Sequence, residues 1–237
     1  MRWWFSALGM VLWLPIGAQA AALSCLLEPS VDVHVGVASE GFLTDVRVDR
    51  SDVVTRGQVL ARLNDGVERA SVDYQRTRES FAQRRVSRTE DFRERRLMSE
   101  QELDEIATEL QLARAELRER RERLALREIR SPIDGVVVER LKNTGDLINN
   151  DQVFRLMRLD PLFIEVVMPL ESYGQFALGQ KHSITVHHLE EIHEVELINV
   201  DRVIDPGSNT FRLRLKLDNP EQRIPSGLRC EFHLNAF

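Results

Sequence analysis

The sequence predicts an elongated, multidomain α+β protein, in which a pair of long helices interrupts a β-rich domain and a small antiparallel β-barrel follows. Three observations support this fold class. Residues 67–131 contain no Gly or Pro over about 65 positions, which is typical of long helices. Similar β-like segments lie on both sides of that stretch. Residues 160–237 hold several short alternating segments separated by Gly and Pro, as small barrels do.

Residues 1–20 have the features of a secretory signal peptide. Arg2 precedes an apolar run from Trp3 to Ile16, and Ala18-Gln19-Ala20 fits a small-x-small cleavage site. The run is shorter than the roughly 20 residues that cross a bilayer. We therefore expect cleavage after Ala20 and export of the chain. Ala22-Leu23-Ser24-Cys25 also loosely resembles a bacterial lipobox, so a lipid anchor at Cys25 is the alternative.

Export changes the interpretation of the two cysteines, Cys25 and Cys230. An oxidising compartment permits a disulfide, and both residues lie in strand-like sequence that could be adjacent in the fold. Closing a loop of about 200 residues would stabilise the chain by about 4–5 kcal/mol in the loop-entropy description. We expect this disulfide. Two unpaired thiols, one of them lipidated, are the alternative.

Composition excludes several classes of function. The net charge is −6, and the many Arg residues of the helical stretch alternate with Asp and Glu. This pattern indicates a solvated, ion-paired helix surface, so we expect no nucleic-acid partner. The sequence contains no nucleophile elbow, no Gly-rich phosphate loop and no paired cysteine ligands. We therefore expect neither enzymatic activity nor a cofactor.

The helical stretch is interpreted as an antiparallel coiled-coil hairpin over residues 66–128, with its tip near residues 93–101. Ser99 and Glu102 form a capping-box motif, which indicates where the second helix begins. Apolar residues recur in steps of three and four, which predicts the seam between the helices. The predicted seam consists of Val67, Ala70, Tyr74, Thr77 and Phe81 on the first helix, and Leu103, Ile106, Leu110, Ala113, Leu117 and Leu124 on the second.

The segments on either side of the hairpin are an internal repeat. Val31, Val33, Val35 and Val37 first form an alternating strand pattern. Shifting the following segment by 94 positions then aligns it without a gap on the segment beyond the hairpin. The identical pairs are Gly41 with Gly135, Asp52 with Asp146, Gln58 with Gln152 and Val59 with Val153. Residues 31–65 and 129–159 are therefore predicted to form one domain in two halves, each too small to bury a core alone.

This split domain resembles the biotinyl-lipoyl carrier fold, a flattened barrel of two interlocking halves. Carriers of that kind display a modified Lys on the turn that joins the halves. Here the hairpin replaces that turn, and no Lys occurs between Val67 and Ser131. A carrier function is therefore excluded, and a lipoyl-like domain without its modification site is expected.

The order of modules over about residues 28–237 resembles the periplasmic adaptor subunits of tripartite efflux systems, the membrane fusion proteins of the HlyD-like family. The segments that carry the resemblance are Asp52–Asp65, Ile129–Arg140, Asp160–Pro169, Asp205–Leu215 and Ile224–Arg229. The resemblance implies a non-enzymatic periplasmic protein associated with the inner membrane. It implies three partners: an inner-membrane transporter, an outer-membrane channel, and further copies of the chain in a ring. The resistance-nodulation-division (RND) type of transporter is favoured.

The resemblance also implies which residues meet the channel at the hairpin tip. The family uses an Arg, a Leu four residues on and a Ser seven further, and Arg88, Phe92 and Ser99 have this spacing. Phe92 departs from the family pattern by offering a larger apolar side chain. Each residue also has a purely structural interpretation: Arg88 as a solvated helix charge, Phe92 as a core residue and Ser99 as an N-cap.

Residues 160–237 are predicted to form a small β-barrel with a cluster of four histidines, His182, His187, His188 and His193. An exported metal- or ligand-binding accessory protein that uses this His-rich barrel is the alternative function. His187 and His188 are adjacent on a strand and point to opposite faces, so both cannot bind one ion without a bend. No Cys lies nearby, and Glu190, Glu191 and Glu194 are equally well explained as solvent-facing loop charges, so we expect no metal site.

Adaptors of this type often carry a fourth, membrane-proximal domain built from both termini. Few residues lie outside the modules described above, so we expect that domain to be absent or vestigial. The Cys25–Cys230 bridge would then tie an N-terminal strand to the last strand of the barrel.

Overall fold

A computed structural model describes residues 23–37, 39–94, 98–187 and 189–234. The predicted signal peptide lies outside the described residues. The described chain divides into two compact units. The barrel unit comprises residues 23–28, 163–217 and 227–234, apart from residue 188. The hairpin unit comprises the described residues of 29–162 and 218–226. The α+β class is confirmed, with twelve strands and two α-helices in the described part.

The helices are α1 (Gly66–Glu94) and α2 (Glu100–Ala125). The first seven strands are β1 (Leu23–Gly36), β2 (Gly41–Val46), β3 (Val53–Val54), β4 (Val59–Leu63), β5 (Glu128–Arg130), β6 (Gly135–Arg140) and β7 (Leu147–Ile148). The remaining strands are β8 (Gln152–Pro169), β9 (Lys181–Val186), β10 (Glu191–Val200), β11 (Thr210–Leu217) and β12 (Arg229–His233). A single 3-10 turn at Leu170–Ser172 follows β8.

The internal repeat appears directly in the placement of four strands. β6 and β7 begin and end 94 positions after β2 and β3, respectively, as the sequence predicts. The turn chemistry is repeated as well. The carboxylates of Asp52 and Asp146 accept hydrogen bonds from the backbone N–H groups of Asp49 and Asn143, each at 2.7 Å. These equivalent bonds explain why an Asp recurs at this position of both halves.

The two halves of the repeat exchange strands. β3 pairs antiparallel with β6 of the other half, and β7 pairs antiparallel with β2. The backbone N–H of Leu43 donates to Asp146 O at 3.0 Å, and the equivalent N–H of Val137 donates to Asp52 O at 2.9 Å. Each half therefore completes the sheet of the other. Apolar side chains from both halves fill one core, which includes Leu43, Val54, Leu60, Leu63, Val137, Ile148, Val153 and Phe154.

The helices are inserted between two strands that pair with each other. β4 runs into α1, α2 runs into β5, and β4 pairs antiparallel with β5. An ion pair supports the root of the insertion: the Arg127 guanidinium lies 2.5 Å from a Glu68 carboxylate oxygen, and both side chains are about one-fifth exposed. Arg127 also donates to the carbonyl oxygen of Glu40. The paired strands and this ion pair thus hold both ends of the helical segment together.

α1 and α2 pack against each other in antiparallel directions. Arg78 of α1 pairs with Glu116 of α2, and Arg85 pairs with Glu109, each at 2.6 Å. A step of seven residues toward the C-terminus of α1 therefore corresponds to a step of seven residues toward the N-terminus of α2. With 29 and 26 residues, the helices are about 44 and 39 Å long at 1.5 Å per residue. Whether their side chains interlock as in a coiled coil stays a prediction.

The predicted seam is confirmed on α2 and wrong on α1. Ile106, Leu110, Ala113 and Leu117 of α2 are buried. On α1 the five predicted seam residues are all exposed: Val67, Ala70, Tyr74, Thr77 and Phe81. The inner face of α1 instead contains Val72, Gln75 and Ala82, all buried. α1 carries two stripes with the same heptad spacing, and the more apolar one points outward. Packing against α2 decided which stripe is buried, so apolarity alone misled the prediction.

In the barrel unit, six strands or parts of strands belong to one sheet. The sheet order runs β1-β12-β9-β10-β11-β8, and β1 also pairs with β8. Alternating residues of these strands point inward and are fully buried, among them Leu27, Ile164, Val166, Ile184, Leu197, Phe211, Leu213 and Phe232. This arrangement agrees with the predicted antiparallel barrel.

The unit boundaries differ from the predicted ones in two places. The predicted boundary at residue 160 falls inside β8, which continues without a break from Gln152 to Pro169. The predicted barrel also omitted its first strand, since residues 23–28 of β1 belong to this unit and Leu23–Leu26 pair with β12. Residues 218–226 belong to the hairpin unit, where Asn219 bonds the carbonyl oxygens of Leu159 and Ile224 at 2.9 Å. The alternation of apolar residues predicts where a strand lies, but it does not predict which unit each end of a long strand joins.

We predict that Gly135→Ala destabilises the hairpin unit by about 1–3 kcal/mol. A Cβ atom at this position would meet the backbone carbonyl of Met157 on the paired strand β8, which cannot move without breaking the ladder. Gly66→Ala is the matched control, because the space around a Cβ at Gly66 is open and Ala favours the helix that begins there. Urea unfolding followed by circular dichroism should show a loss for the first variant only.

We also predict that Gln75→Leu stabilises the helix pair by about 1 kcal/mol. Gln75 is 8% exposed, and its Oε1 has no hydrogen-bond partner among the described residues. Leu would fill a similar volume in the seam without that penalty. Arg76→Leu, on the exposed neighbouring position, should leave stability nearly unchanged. A gain for Arg76→Leu and none for Gln75→Leu, in thermal unfolding, would show that the seam is assigned to the wrong face.

Candidate functional site

The candidate site is the end of the hairpin that is far from its β-sheet root. Arg88 and Phe92 lie in the last turns of α1, and both are exposed, Phe92 at 47%. Ser99 begins α2 on the other side of the tip. Residues 95–97 of the predicted tip lie outside the described residues. The structure thus places all three predicted residues at the same end of the helical pair.

Phe92 does not take the structural role that the sequence left open for it. A core residue would be covered by the partner helix, whereas nearly half of this side chain is exposed. Arg88 is likewise exposed. An apolar ring and a five-donor guanidinium four residues apart lie on neighbouring positions of one helix face. Together they can offer a protein partner an apolar contact beside hydrogen-bond donors for carbonyl or carboxylate oxygens.

Ser99 is the N-cap of α2 through a complete capping box. The Glu102 backbone N–H donates to Ser99 Oγ at 3.3 Å, while the Ser99 backbone N–H donates to Glu102 Oε2 at 2.8 Å. The Ser99 hydroxyl donates to the same carboxylate oxygen at 2.8 Å. The backbone bond first, and then the hydroxyl bond, lower the pKa of the Glu102 carboxyl group. The box defines where the chain re-enters the helix after the tip.

Cys25 and Cys230 face each other across β1 and β12 and are joined in a disulfide. They are register partners on the two antiparallel strands, with Cα atoms 4.8 Å apart, and both are buried. The sulfur of Cys25 is therefore used by the disulfide and is not available for the thioether of a lipid anchor. The predicted cleavage site at Ala20 lies outside the described residues.

The histidines of the barrel unit are dispersed. His182 is buried against the rings of Phe232 and Phe176, and burial lowers the pKa of its imidazole. His187 is exposed, near Glu231, and His193 lies near Glu191. His188 lies outside the described residues. Among the residues described, no three His, Cys, Asp or Glu side chains come together as metal ligands would. The alternative of a histidine metal centre gains no support from this arrangement.

One exposed feature, the outward stripe of α1, was not predicted from the sequence. Val67, Tyr74 and Phe81 repeat every seven residues and are 80%, 67% and 51% exposed. The heptad spacing was visible in the sequence, but it was assigned to the inner seam. Within the described part of the chain, no helix combines the length and apolarity needed to cross a membrane.

A protein-family model and a curated relative both match this chain. Residues 32–157, more than half of the chain, match the family model for the CzcB-like barrel-sandwich hybrid domain. The cobalt-zinc-cadmium resistance protein CzcB of Cupriavidus metallidurans is 24% identical over 211 residues, which cover 82% of this chain. The chain spans only 41% of the length of that relative.

Solved structures of membrane fusion proteins share the fold at low sequence identity. A MacA-MexA chimera that contains the Pseudomonas aeruginosa MexA α-hairpin domain is 18% identical, with a TM-score of 0.76 over 91% of this chain and 82% of the chimera. Spr0693 from Streptococcus pneumoniae R6 is 16% identical, with a TM-score of 0.72 over 92% and 99% of the two chains. ZneB from Cupriavidus metallidurans is 19% identical, with a TM-score of 0.54 over 89% and 96%.

We predict that Ser99→Ala weakens the start of α2 by about 1 kcal/mol at pH 7. A lowered carboxyl pKa means that the Glu102 contribution is present above the ordinary Glu value of about 4.3 and is lost as the pH falls through the lowered value. The difference between wild type and Ser99→Ala at pH 7 should therefore narrow when the pH is brought below that ordinary value. Amide hydrogen exchange over residues 100–106 measures this local effect.

Ser87→Ala is the control for the cap prediction. Ser87 is an exposed residue inside α1 whose hydroxyl donates to the Gln83 carbonyl oxygen. Removing that hydroxyl does not uncap a helix end. A loss in protection that is equal at both pH values for Ser99→Ala would contradict the role assigned to the Glu102 carboxylate.

Proposed function

The chain belongs to the CzcB-like family of efflux membrane fusion proteins, and from that membership we propose that it is a periplasmic adaptor for an RND-type transporter. In this proposal the protein links the inner-membrane transporter to an outer-membrane channel. Several copies associate in a ring to form the link. The role is mechanical and requires no reaction catalysed by this chain.

The observation that carries the proposal is the insertion of the hairpin between two paired strands. A pair of helices about 40 Å long extends from β4 and β5, which are themselves part of a fully packed β-core. Because both ends of the insertion are held by the same sheet, the far ends of α1 and α2 have a defined position relative to that sheet. A helix pair inserted in this way places a small docking surface far from the β-core that holds it.

The side chains at that tip suit contact with a protein partner. Phe92 would fill an apolar groove, and the Arg88 guanidinium would donate to backbone carbonyl or carboxylate oxygens of the channel. Ser99 would keep its N-cap role, and the exposed N-terminal end of α2 that it caps would form part of the same surface. Phe in place of the family's Leu would require a larger groove in the partner.

The barrel unit is proposed to be the part associated with the transporter at the inner membrane. The Cys25–Cys230 disulfide is consistent with an oxidising periplasmic location. The disulfide also holds the first and last described strands of the unit together.

The name of one relative suggests which transported substances should be tested first. That relative is a cobalt-zinc-cadmium resistance protein. Transport assays should therefore include Zn²⁺, Co²⁺ and Cd²⁺ beside a panel of organic compounds. Cargo specificity is not expected to lie in this chain alone, since an adaptor seals a path rather than selecting what enters it.

We predict that Arg88→Asp reduces export by at least about tenfold, because reversing one charge at a docking surface typically costs several kcal/mol. The assay is export by cells that carry the chain with its transporter and channel. Arg118→Asp, an exposed charge reversal on α2 away from the tip, is the control and should retain export. Circular dichroism verifies that both variants fold.

A photoreactive side chain at position 92 identifies what the tip contacts. The expected result is a covalent product with an outer-membrane channel protein, while the same probe at position 118 gives none. Normal export by Arg88→Asp, together with no channel product from position 92, would refute docking through the tip.

A further inference from the structure

The internal repeat produces two equivalent corners in the hairpin unit. At the first corner, the carbonyl oxygen of Glu40 accepts a hydrogen bond from the Arg127 guanidinium. At the second corner, 94 positions further on, the carbonyl oxygen of Asp134 accepts a hydrogen bond from Nε of Arg158 at 3.3 Å. Arg127 and Arg158 are not themselves 94 positions apart, but each places a guanidinium group against the equivalent carbonyl of its half.

The two guanidinium groups differ in their second partner. Arg127 also pairs with the Glu68 carboxylate, 2.5 Å away in the first turn of α1. For Arg158 no such carboxylate is present among the described residues, and neither its Nη1 nor its Nη2 has a hydrogen-bond or ion-pair partner there. The second corner therefore has a guanidinium group without the carboxylate that completes the first.

The path of the chain explains this difference. In the first half, β4 ends at Leu63 and the chain enters α1, which supplies Glu68. Shifted by 94 positions, β4 corresponds to residues 153–157 of β8, but β8 continues as a strand to Pro169. Because no helix begins at that point of the second half, no helix side chain reaches the guanidinium group.

The second corner is instead an open pocket of about 370 Å³. Its lining comes from three elements: the start of β6, the middle of β8, and the turn at residues 219–222. The lining residues are Asp134, Gly135, Arg158, Leu159, Asp160 and Gln222. All of them belong to the hairpin unit.

The Asp160 carboxylate is held in place by a backbone bond. Its Oδ1 accepts from the backbone N–H of Asn219 at 2.8 Å. Asn219 is itself buried and donates through its side chain to the carbonyl oxygens of Leu159 and Ile224, each at 2.9 Å. Oδ2 of Asp160 has no partner within the described part of the chain, so it is available to a ligand.

Gln222 completes the pocket from the turn. Its backbone N–H donates to the Asn219 carbonyl oxygen at 2.9 Å, which closes the turn. Its φ angle is +52°, a conformation that Gly adopts more readily than Gln. Among the described residues its side-chain amide has no hydrogen-bond partner, so the amide is not used to hold the turn.

The unpaired groups indicate the chemistry of a ligand. A guanidinium group with two free NH₂ groups binds a carboxylate through two parallel hydrogen bonds. A ligand with only negative charge would be repelled by the carboxylates of Asp134 and Asp160 in the same lining. A ligand that carries a positive group next to its carboxylate would satisfy both Arg158 and Asp160, which lie two positions apart on β8.

We propose that this pocket binds a free α-amino acid in its zwitterionic form. The ligand carboxylate takes the place at Arg158 that Glu68 takes at Arg127. The ligand ammonium group donates to Oδ2 of Asp160 and to the side-chain oxygen of Gln222. This inference goes beyond the adaptor function and does not depend on it.

Isothermal titration calorimetry on the purified, full-length chain tests the ligand class. L-Alanine should bind with one site per chain. L-Alaninamide lacks the carboxylate and N-acetyl-L-alanine lacks the ammonium group. Each should bind at least about tenfold more weakly than L-alanine, because each loses one charge-assisted contact.

Two variants test which residue meets which end of the ligand. Arg158→Gln and Asp160→Asn should each weaken L-alanine binding at least about tenfold. Arg158→Gln should not weaken L-alaninamide further, and Asp160→Asn should not weaken N-acetyl-L-alanine further, since the affected contact is already missing. A purely structural role would weaken all three compounds alike.

Arg223→Gln is the matched control for these variants. Arg223 belongs to the segment that follows the turn, its side chain is 83% exposed, and it pairs with Glu221 rather than lining the pocket. This variant should bind L-alanine as the wild type does. Circular dichroism verifies that all three variants fold.

The proposal requires only groups that all α-amino acids share, so L-alanine is a sufficient probe. Failure of the folded wild-type chain to bind L-alanine would overturn the proposal. Equal binding of L-alanine, L-alaninamide and N-acetyl-L-alanine would also overturn it. Tighter binding of L-alanyl-L-alanine, whose charges are further apart, would replace the amino acid by a peptide. None of these results depends on export, so the adaptor function is tested separately.

Discussion

The exchange of strands between the two halves of the repeat is the constraint on which the hairpin unit depends. β3 completes the sheet of the second half, and β7 completes that of the first. Neither half can bury a core alone, so the long segment between them must leave and return at one place. That place is the pair β4 and β5, where Arg127 also joins the root of α1 through Glu68. The tip is thus positioned by a β-core about 40 Å away from it.

The helical pair does not bury all of its larger apolar side chains. Its inner seam includes a buried Gln75, and the exposed Arg–Glu pairs between the helices contribute little each, about 0–1 kcal/mol. The larger apolar side chains of α1, Tyr74 and Phe81, point outward instead. An isolated hairpin would gain from burying them.

At the candidate site, some features could be predicted from the sequence and others could not. The capping box was predictable from Ser99 and Glu102, since its bonds are local and depend on a spacing of three residues. The choice of Arg88 and Phe92 came from family resemblance, and their docking role awaits experiment. The face that α1 turns to α2 was not predictable by apolarity, because two stripes of the helix share one period. Only the contacts across the pair distinguish Gln75, which is buried, from Tyr74, which is not.

The sequence by itself determined the α+β class, the two long helices, the start of α2 and the 94-residue repeat, because each depends on local pattern and turn chemistry. The tertiary structure decided which strands pair across the halves, which stripe of α1 is buried and where β1 and β8 divide between the two units. These are non-local pairings, set by competition among surfaces of similar composition. For the helices, this competition left the more apolar stripe of α1, with Tyr74 and Phe81, outside the pair.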